Sequence, residues 1–278
     1  MTTVYDWRAL PSDAKFAVIG DPIHHSLSPA MQNALLQSIG EPGTYIALHV
    51  PPVELAAALE ALITAEFAFV NVTVPHKEAV RAWCHSVHPD ADTIGAVNTL
   101  WPGRRFGINT DAPGFLAALD LAPPPGPSAL VLGAGGSARA VVHALLGAGY
   151  RVGVWNRSDA RRAALLADFP TAQPIPTLDE LDAFDLIVNT TSASLAGDAV
   201  SIRWDSVRTG ITAMDLAYGL SPTPFAASAS RAGARVIDGT EMLIQQGALA
   251  MEAHFNRPIP RDPMRAAITA ELRRRGAA

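Results

Sequence analysis

Apolar and polar positions along the chain recur with two periods. Short runs of apolar, β-branched residues read as strands, and longer runs with apolar residues three and four apart read as helices. KFAVIG (15–20) predicts a first strand. SPAMQNALLQSIG (28–40) predicts a helix with Ser28 as N-cap, Pro29 at the first position and Gly40 just past the end. TYIALHV predicts a second strand, VELAAALEALITAE a second helix, and FAFVNVTV (67–74) a third strand that Pro75 stops. This βαβαβ order implies a parallel sheet with helices on its faces.

APPPGP (122–127) is too rich in proline for a helix or an interior strand and marks a seam. Beyond it the pattern restarts. SALVLGAG, YRVGVWN, FDLIVNTT, GITAMDLAY and ARVIDG read as strands. SARAVVHALLGAG, DARRAALLADF and PFAASASRAG read as the helices among them. EMLIQQGALAMEAHF and MRAAITAELRRR close the chain as helices. The fold class is therefore α/β, in two α/β domains with a cleft between them, where ligands commonly bind.

Composition narrows the partners. Of 278 residues, 49% are hydrophobic and 17% charged, which supplies packed cores and leaves little for long disorder. A net charge of −5 argues against a nucleic-acid surface. The basic cluster Arg273, Arg274 and Arg275 reads as the solvated end of a last helix, where cations suit the dipole. The lone cysteine, Cys84, excludes an intrachain disulfide and a cysteine-based metal site, and reads as a small packed residue. No signal-peptide pattern and no apolar run of roughly 18 residues is present, so a cytoplasmic protein without a membrane span is expected.

The second domain carries GAGGSARA (133–140) between a strand and a helix. Gly133, Gly135 and Ala138 satisfy G-x-G-x-x-G/A, with Ala134, Gly136 and Ser137 between them. The first glycine permits the tight turn, the second lets backbone approach a pyrophosphate, and the third position packs helix on strand. An NAD site places a carboxylate at the end of the next strand to hold the ribose 2′-hydroxyl. Here Asn156 and Arg157 occupy that place, with Ser158 beside them and Arg161 a turn later. Guanidinium groups bind a 2′-phosphate that a carboxylate would repel, so NADP is the expected cofactor.

The first domain places polar groups at strand ends and helix starts: Ser26 and Ser28, then Asn71, Thr73 and Lys77, then Asn98, then Thr110 and Asp111. Two hydroxyls at a helix N-terminus suit a carboxylate, and amides and hydroxyls suit a polyol. Beside NADP, this set points to hydride transfer between a secondary alcohol and a ketone. Lys77 would act as general acid–base, with Asp111 orienting it. For each residue alone a plainer reading exists: Lys77 as a solvated first-turn residue, Asp111 as an N-cap.

Together these motifs resemble the shikimate dehydrogenase family nearly end to end. G-x-P-x-x-H-S-x-S-P is met by Gly20–Pro29, N-V-T-x-P-x-K by Asn71–Lys77, G-A-V-N-T by Gly95–Thr99 and G-x-N-T-D-x-x-G by Gly107–Gly114. The glycine turn, the Asn156-Arg157 pair and D-G-x-x-M-L-x-x-Q at Asp238–Gln246 complete the series. The resemblance implies NADPH-dependent reduction of 3-dehydroshikimate to shikimate, in aromatic amino acid biosynthesis. It implies that Ser26, Ser28 and Tyr218 hold the substrate carboxylate, that Thr73, Asn98, Asp111 and Gln246 hold its hydroxyls, and that Lys77 moves the proton. Thr190, Thr191 and Ser192 match the loop beside the cofactor, and Leu216 and Gly239 match contacts near the nicotinamide.

It further implies a substrate-binding catalytic domain over 1–113, completed by C-terminal helices at 241–278, and a Rossmann-type NADP-binding domain over 114–240. The protein is expected to work as a monomer or homodimer. Gln32 stands where the family frequently has His, Ala112 and Glu241 where it has Gly, and Leu216 where it has Met. Relatives of the same fold act on quinate, often with NAD, or on an amino-shikimate. A ligand sensor that has lost catalysis is the rival from another class, and an intact Lys77–Asp111 pair speaks against it.

Overall fold

Ala14–Gly20 forms a strand because six of its seven residues are buried apolar or glycine positions, a run suited to a sheet covered on both faces. The computed structural model describes residues 3–191, 193, 198, 200–219 and 221–276. Its elements are β1 (Val4–Asp6), β2 (Ala14–Gly20), α1 (Ser28–Ile39), β3 (Thr44–His49), α2 (Leu55–Thr64), β4 (Phe69–Val72), α3 (Lys77–Trp83), β5 (Ser86–Val87), α4 (Pro89–Ile94), β6 (Thr99–Trp101) and β7 (Phe106–Ile108). There follow α5 (Asp111–Asp120), β8 (Ser128–Leu132), α6 (Gly136–Gly147), β9 (Arg151–Trp155), α7 (Asp159–Asp168), β10 (Gln173–Pro174), β11 (Leu186–Asn189), β12 (Thr212–Asp215), α8 (Pro224–Arg231), β13 (Arg235–Ile237), α9 (Thr240–Phe255) and α10 (Asp262–Gly276).

The chain divides into two units. The first comprises Met1–Thr110 and Leu243–Ala278, and the second Asp111–Met242. In the first, seven strands run in the order β1-β3-β2-β4-β6-β7-β5. Only β6 opposes its neighbours; the other pairings are parallel. One core gathers Ile19, Leu48, Leu59, Leu62, Val70 and Val97. Gly40 ends α1 in the left-handed conformation at φ 70°, the expected stop. α10 packs along α1. The basic end of α10 departs from the sequence expectation. Arg274 is half exposed, but the Arg275 side chain is only 19% exposed and donates to backbone carbonyls of residues 25 and 26.

In the second unit, six parallel strands run β10-β9-β8-β11-β12-β13, the doubly wound order whose switch point lies between β8 and β11. Its core holds Leu130, Leu132, Ile187, Ala213 and Phe225. The proline seam forms no strand or helix, and the Arg235 guanidinium ties it down by donating to the carbonyls of Ala122 and Pro123. Among the described residues no helix is long and apolar enough to cross a membrane.

Candidate active site

Register explains why four chain segments reach one edge of the first sheet. β2 and β4 run parallel with Ile19 opposite Val72, so their ends come level. β6 runs the other way, pairing Thr99 with Asn71 and with Ile108, so its start meets the ends of β4 and β7. Ser26 therefore lies in the loop after β2 and Ser28 opens α1, Thr73 lies in the loop after β4 and Lys77 opens α3, Asn98 precedes β6, and Thr110 follows β7. This is the carboxyl edge, where parallel sheets bind ligands. The first two loops lie so close that a Cβ on Gly20 would sit 2.5 Å from Thr73 Cγ2.

Ser28 is not the N-cap of α1. Leu27 takes that position without a side-chain bond, and Ser28 is the first helical residue. The reason lies two residues earlier: Ser26 Oγ accepts the Ser28 N–H at 3.2 Å, supplying the terminal acceptor that a cap would provide. Both serines are buried.

Asn98 is the hub of a buried network. Its Oδ1 accepts the Thr110 N–H at 2.8 Å and the Thr99 hydroxyl at 3.0 Å. Its Nδ2 donates to Thr110 Oγ1 at 3.0 Å and to Gln246 Oε1 at 3.4 Å, so α9 reaches this edge from late in the sequence. Asn71 works beneath it, donating to the Asn98 carbonyl at 3.3 Å and to Thr99 Oγ1 at 3.2 Å, and accepting the Tyr45 hydroxyl at 2.7 Å. Tyr45 and Thr99 were not singled out from the sequence. Tyr45 reads there as one more bulky strand residue, and only the sheet order brings its phenol to Asn71.

Lys77 opens α3 and is 8% exposed, with its carbonyl accepting the Val97 N–H at 2.9 Å. A solvated first-turn residue would not be buried so far, since taking an ammonium out of water is costly. Asp111 is the first residue of α5 and 5% exposed. Cys84 is buried, and burial pushes its thiol up to about 11.

The second unit's switch point is shaped by glycines. Gly133 adopts φ +119°, and a Cβ there would collide with Thr190 Oγ1, which donates to the Leu132 carbonyl at 2.7 Å. Gly135 caps α6 with no atom within 4 Å of where its Cβ would be, and Ala138 is wholly buried against the fold. Open space before a helix N-terminus fits a pyrophosphate, with Ala134, Gly136 and Ser137 presenting backbone around it. At the end of β9, Asn156 Nδ2 donates to the Ser158 carbonyl at 2.9 Å, and Ser158 Oγ accepts the Arg161 N–H to cap α7. Arg157 and Arg161 are exposed there.

Gly239 follows β13 where a Cβ would strike the Leu216 carbonyl, so these two loops meet through backbone alone. Asn189 Oδ1 accepts from the Thr191 N–H and hydroxyl, and the Asn189 carbonyl accepts the Leu216 N–H. Thr190, Leu216 and Gly239 thus stand at the carboxyl ends of three adjacent strands. Tyr218 is half-buried, and Ser192 lies outside the described residues.

Residues 18–100 match the model of the shikimate dehydrogenase substrate binding domain, and residues 239–269 that of the shikimate 5'-dehydrogenase C-terminal domain. The chain is 40% identical over 261 residues to a shikimate dehydrogenase (NADP(+)) of Moorella thermoacetica, covering 88% of each. It is 44% identical over 241 residues to the enzyme of that name from Thermus thermophilus, covering 85% of this chain and 90% of the other. The crystal structure of the Thermus thermophilus shikimate 5-dehydrogenase in complex with NADP(H) and shikimate superposes with a TM-score of 0.84 at 41% identity, covering 93% of this chain and 100% of that one.

Proposed function

The chain belongs to the shikimate dehydrogenase family, and from that premise we propose that it catalyses the reversible NADPH-dependent reduction of 3-dehydroshikimate to shikimate. The observation that carries the chemistry is Lys77, a lysine residue 8% exposed on the sheet edge that also holds Ser26, Ser28, Thr73 and Asn98. Buried ionisable groups beside convergent polar side chains mark catalytic sites.

In this reading Ser26 and Ser28 donate to the substrate carboxylate, with Tyr218, and Thr73, Asn98, Asp111 and Gln246 bind the ring hydroxyls. The glycine turn at Gly133–Ala138 and the N-terminus of α6 hold the pyrophosphate. Asn156, Arg157, Ser158 and Arg161 surround the 2′-phosphate, and Thr190, Leu216 and Gly239 flank the nicotinamide. Reduced NADP supplies the hydride that converts the carbonyl carbon to a secondary alcohol. Lys77 gives its proton to the carbonyl oxygen as that charge develops, and takes the hydroxyl proton in the reverse direction. In this proposal Asp111 is the carboxylate assigned to orient the Lys77 side chain and balance its charge. Ser158 Oγ accepts the Arg161 N–H in capping α7, and its O–H is the group that would donate to the phosphate.

We further propose that the enzyme is cytoplasmic, a compartment a chain with one free cysteine suits, and that it works as a monomer or homodimer. The test is initial rates for shikimate and quinate, each with NADP and with NAD, followed by absorbance of the reduced nicotinamide. A clear preference for shikimate with NADP supports the assignment. Equal or better turnover of quinate with NAD would move the protein to a quinate dehydrogenase and remove the role given to Arg157. No turnover with any pair would favour a ligand sensor.

A further inference from the structure

The loop that carries Ser26 is fastened from the far end of the chain. In α10, Arg275 donates through Nη1 to the His25 carbonyl at 2.8 Å and through Nη2 to the Ser26 carbonyl at 3.1 Å. Its Nε donates to Glu271 Oε1, one turn earlier, at 2.7 Å. Glu271 also accepts Nε and Nη2 of Arg274, each at 2.7 Å, and its side chain is 12% exposed. Hydrogen bonds from Arg274 and then Arg275 hold its carboxyl down at about 2, so it stays ionised across the working range. One guanidinium therefore joins two consecutive carbonyls to a carboxylate, a three-way bond that needs a planar fork of donors.

Two consecutive carbonyls fixed to one rigid group fix the peptide between them. That peptide sets the direction in which the Ser26 side chain leaves the backbone. Ser26 is further constrained by its own N–H, which donates to the Ile23 carbonyl at 3.0 Å, and by the Ser28 N–H on its Oγ. The His25 imidazole beside this junction is biased toward the neutral form, first by burial and then by His24 and Arg275. The guanidinium that contacts the serine loop is held in place by its own counter-ion, Glu271.

We propose that Arg275, oriented by Glu271, is a positioning residue for substrate binding: it locks the His25–Ser26 peptide so that the Ser26 and Ser28 hydroxyls are preset for the substrate carboxylate. The proposal rests on the carboxylate role given to those serines above. A residue that merely staples α10 to the rest of the first unit would alter stability without singling out one substrate group.

The experiment uses the full chain with Arg275→Met, Arg275→Lys and Glu271→Gln, measuring kcat and KM for shikimate and for its methyl ester, KM for NADP, and Tm. Arg275→Met is expected to raise KM for shikimate about tenfold, the loss of a charge-assisted pair of bonds. The kcat value and KM for NADP stay within about twofold, because the proton-transfer and cofactor residues are untouched. With the ester, which lacks the carboxylate charge, the difference from wild type shrinks to about twofold. Arg275→Lys keeps the cation but not the fork, and gives an intermediate KM, which tests the same point should Arg275→Met not fold. Glu271→Gln raises KM for shikimate in the same direction by less.

An unchanged KM for shikimate in both Arg275 variants overturns the positioning role, as does an equal penalty for acid and ester or a parallel loss in kcat and NADP binding. If wild type turns over the ester as well as the acid, the carboxylate role of the serines falls first, and the role of Arg275 with it.

Discussion

Replacing Asn98 by Ala removes the hub of the first unit's polar edge, and the cost can be worked bond by bond. The Thr110 N–H, held by Asn98 Oδ1 at 2.8 Å, is left buried and unpaired, which costs about 1–3 kcal/mol. The Thr99 and Thr110 hydroxyls lie 3.4 Å apart and can turn to each other, so they recover part of what they lose. Gln246 Oε1 loses its Asn98 donor, and a small cavity opens beside the end of β4. The sum is about 2–4 kcal/mol, or roughly 5–15 °C in Tm for a protein of this size. Asn98→Asp keeps the acceptor for the Thr110 N–H but puts a carboxylate at a position 2% exposed and turns an oxygen toward Gln246 Oε1, so it is expected to cost at least as much in the same comparison. The assay is urea and thermal unfolding of the three proteins, read by tryptophan fluorescence and circular dichroism, alongside KM for shikimate. A loss under about 1 kcal/mol for Asn98→Ala, with KM unchanged, would refute both the network accounting and the place of Asn98 in the site.

Lys77→Met is expected to lower kcat by about 10²–10⁴ while KM for NADP moves less than twofold; a matching loss of cofactor binding would make Lys77 structural. Arg157→Ala is expected to weaken NADP about tenfold or more with little effect on NAD, and a uniform loss by titration calorimetry would show that it does not read the 2′-phosphate. With its thiol raised from 9.0 to about 11 by burial, Cys84 stays protonated at mildly alkaline pH and is expected to resist thiol reagents until denaturant is added. The unfolded chain loses this proton first, so stability falls as pH rises from about 9 toward 11. Prompt labelling of the native protein would contradict the burial argument.

Most of this fold was legible because its signals are local. The glycine turn between a strand and a helix, the proline seam and the Gly40 stop each follow from a few adjacent residues, and the structure has all three. The short strands were less legible. β1, β5 and β7 hold two or three residues each, too few to show a period. The reversal of β6 follows from pairing with β4 and β7 rather than from any residue of its own. Ser28 shows how a local signal misleads: Ser followed by Pro at a helix start reads as a cap, yet the hydroxyl that serves the helix comes from Ser26.

The site residues hardest to read are those that the last two helices bring back to the first sheet. Gln246 and Arg275 lie 148 and 249 positions from Asn98 and Ser26, and nothing in a helical period says which sheet such a helix will meet. What fixes the meeting is packing that looks unremarkable in sequence. At Gly247 a Cβ would fall 2.5 Å from Met31 Cε and 2.9 Å from Gln32 Nε2, so α9 meets α1 here against the tips of two α1 side chains. Gln32 then donates to the Gly247 carbonyl at 3.1 Å, one position from Gln246. Its Oε1 is, among the described residues, the only buried side-chain polar atom with no hydrogen bond. Gln32 thus ties α1 to α9 one residue from Gln246, and this tether holds the turn of α9 from which Gln246 meets Asn98.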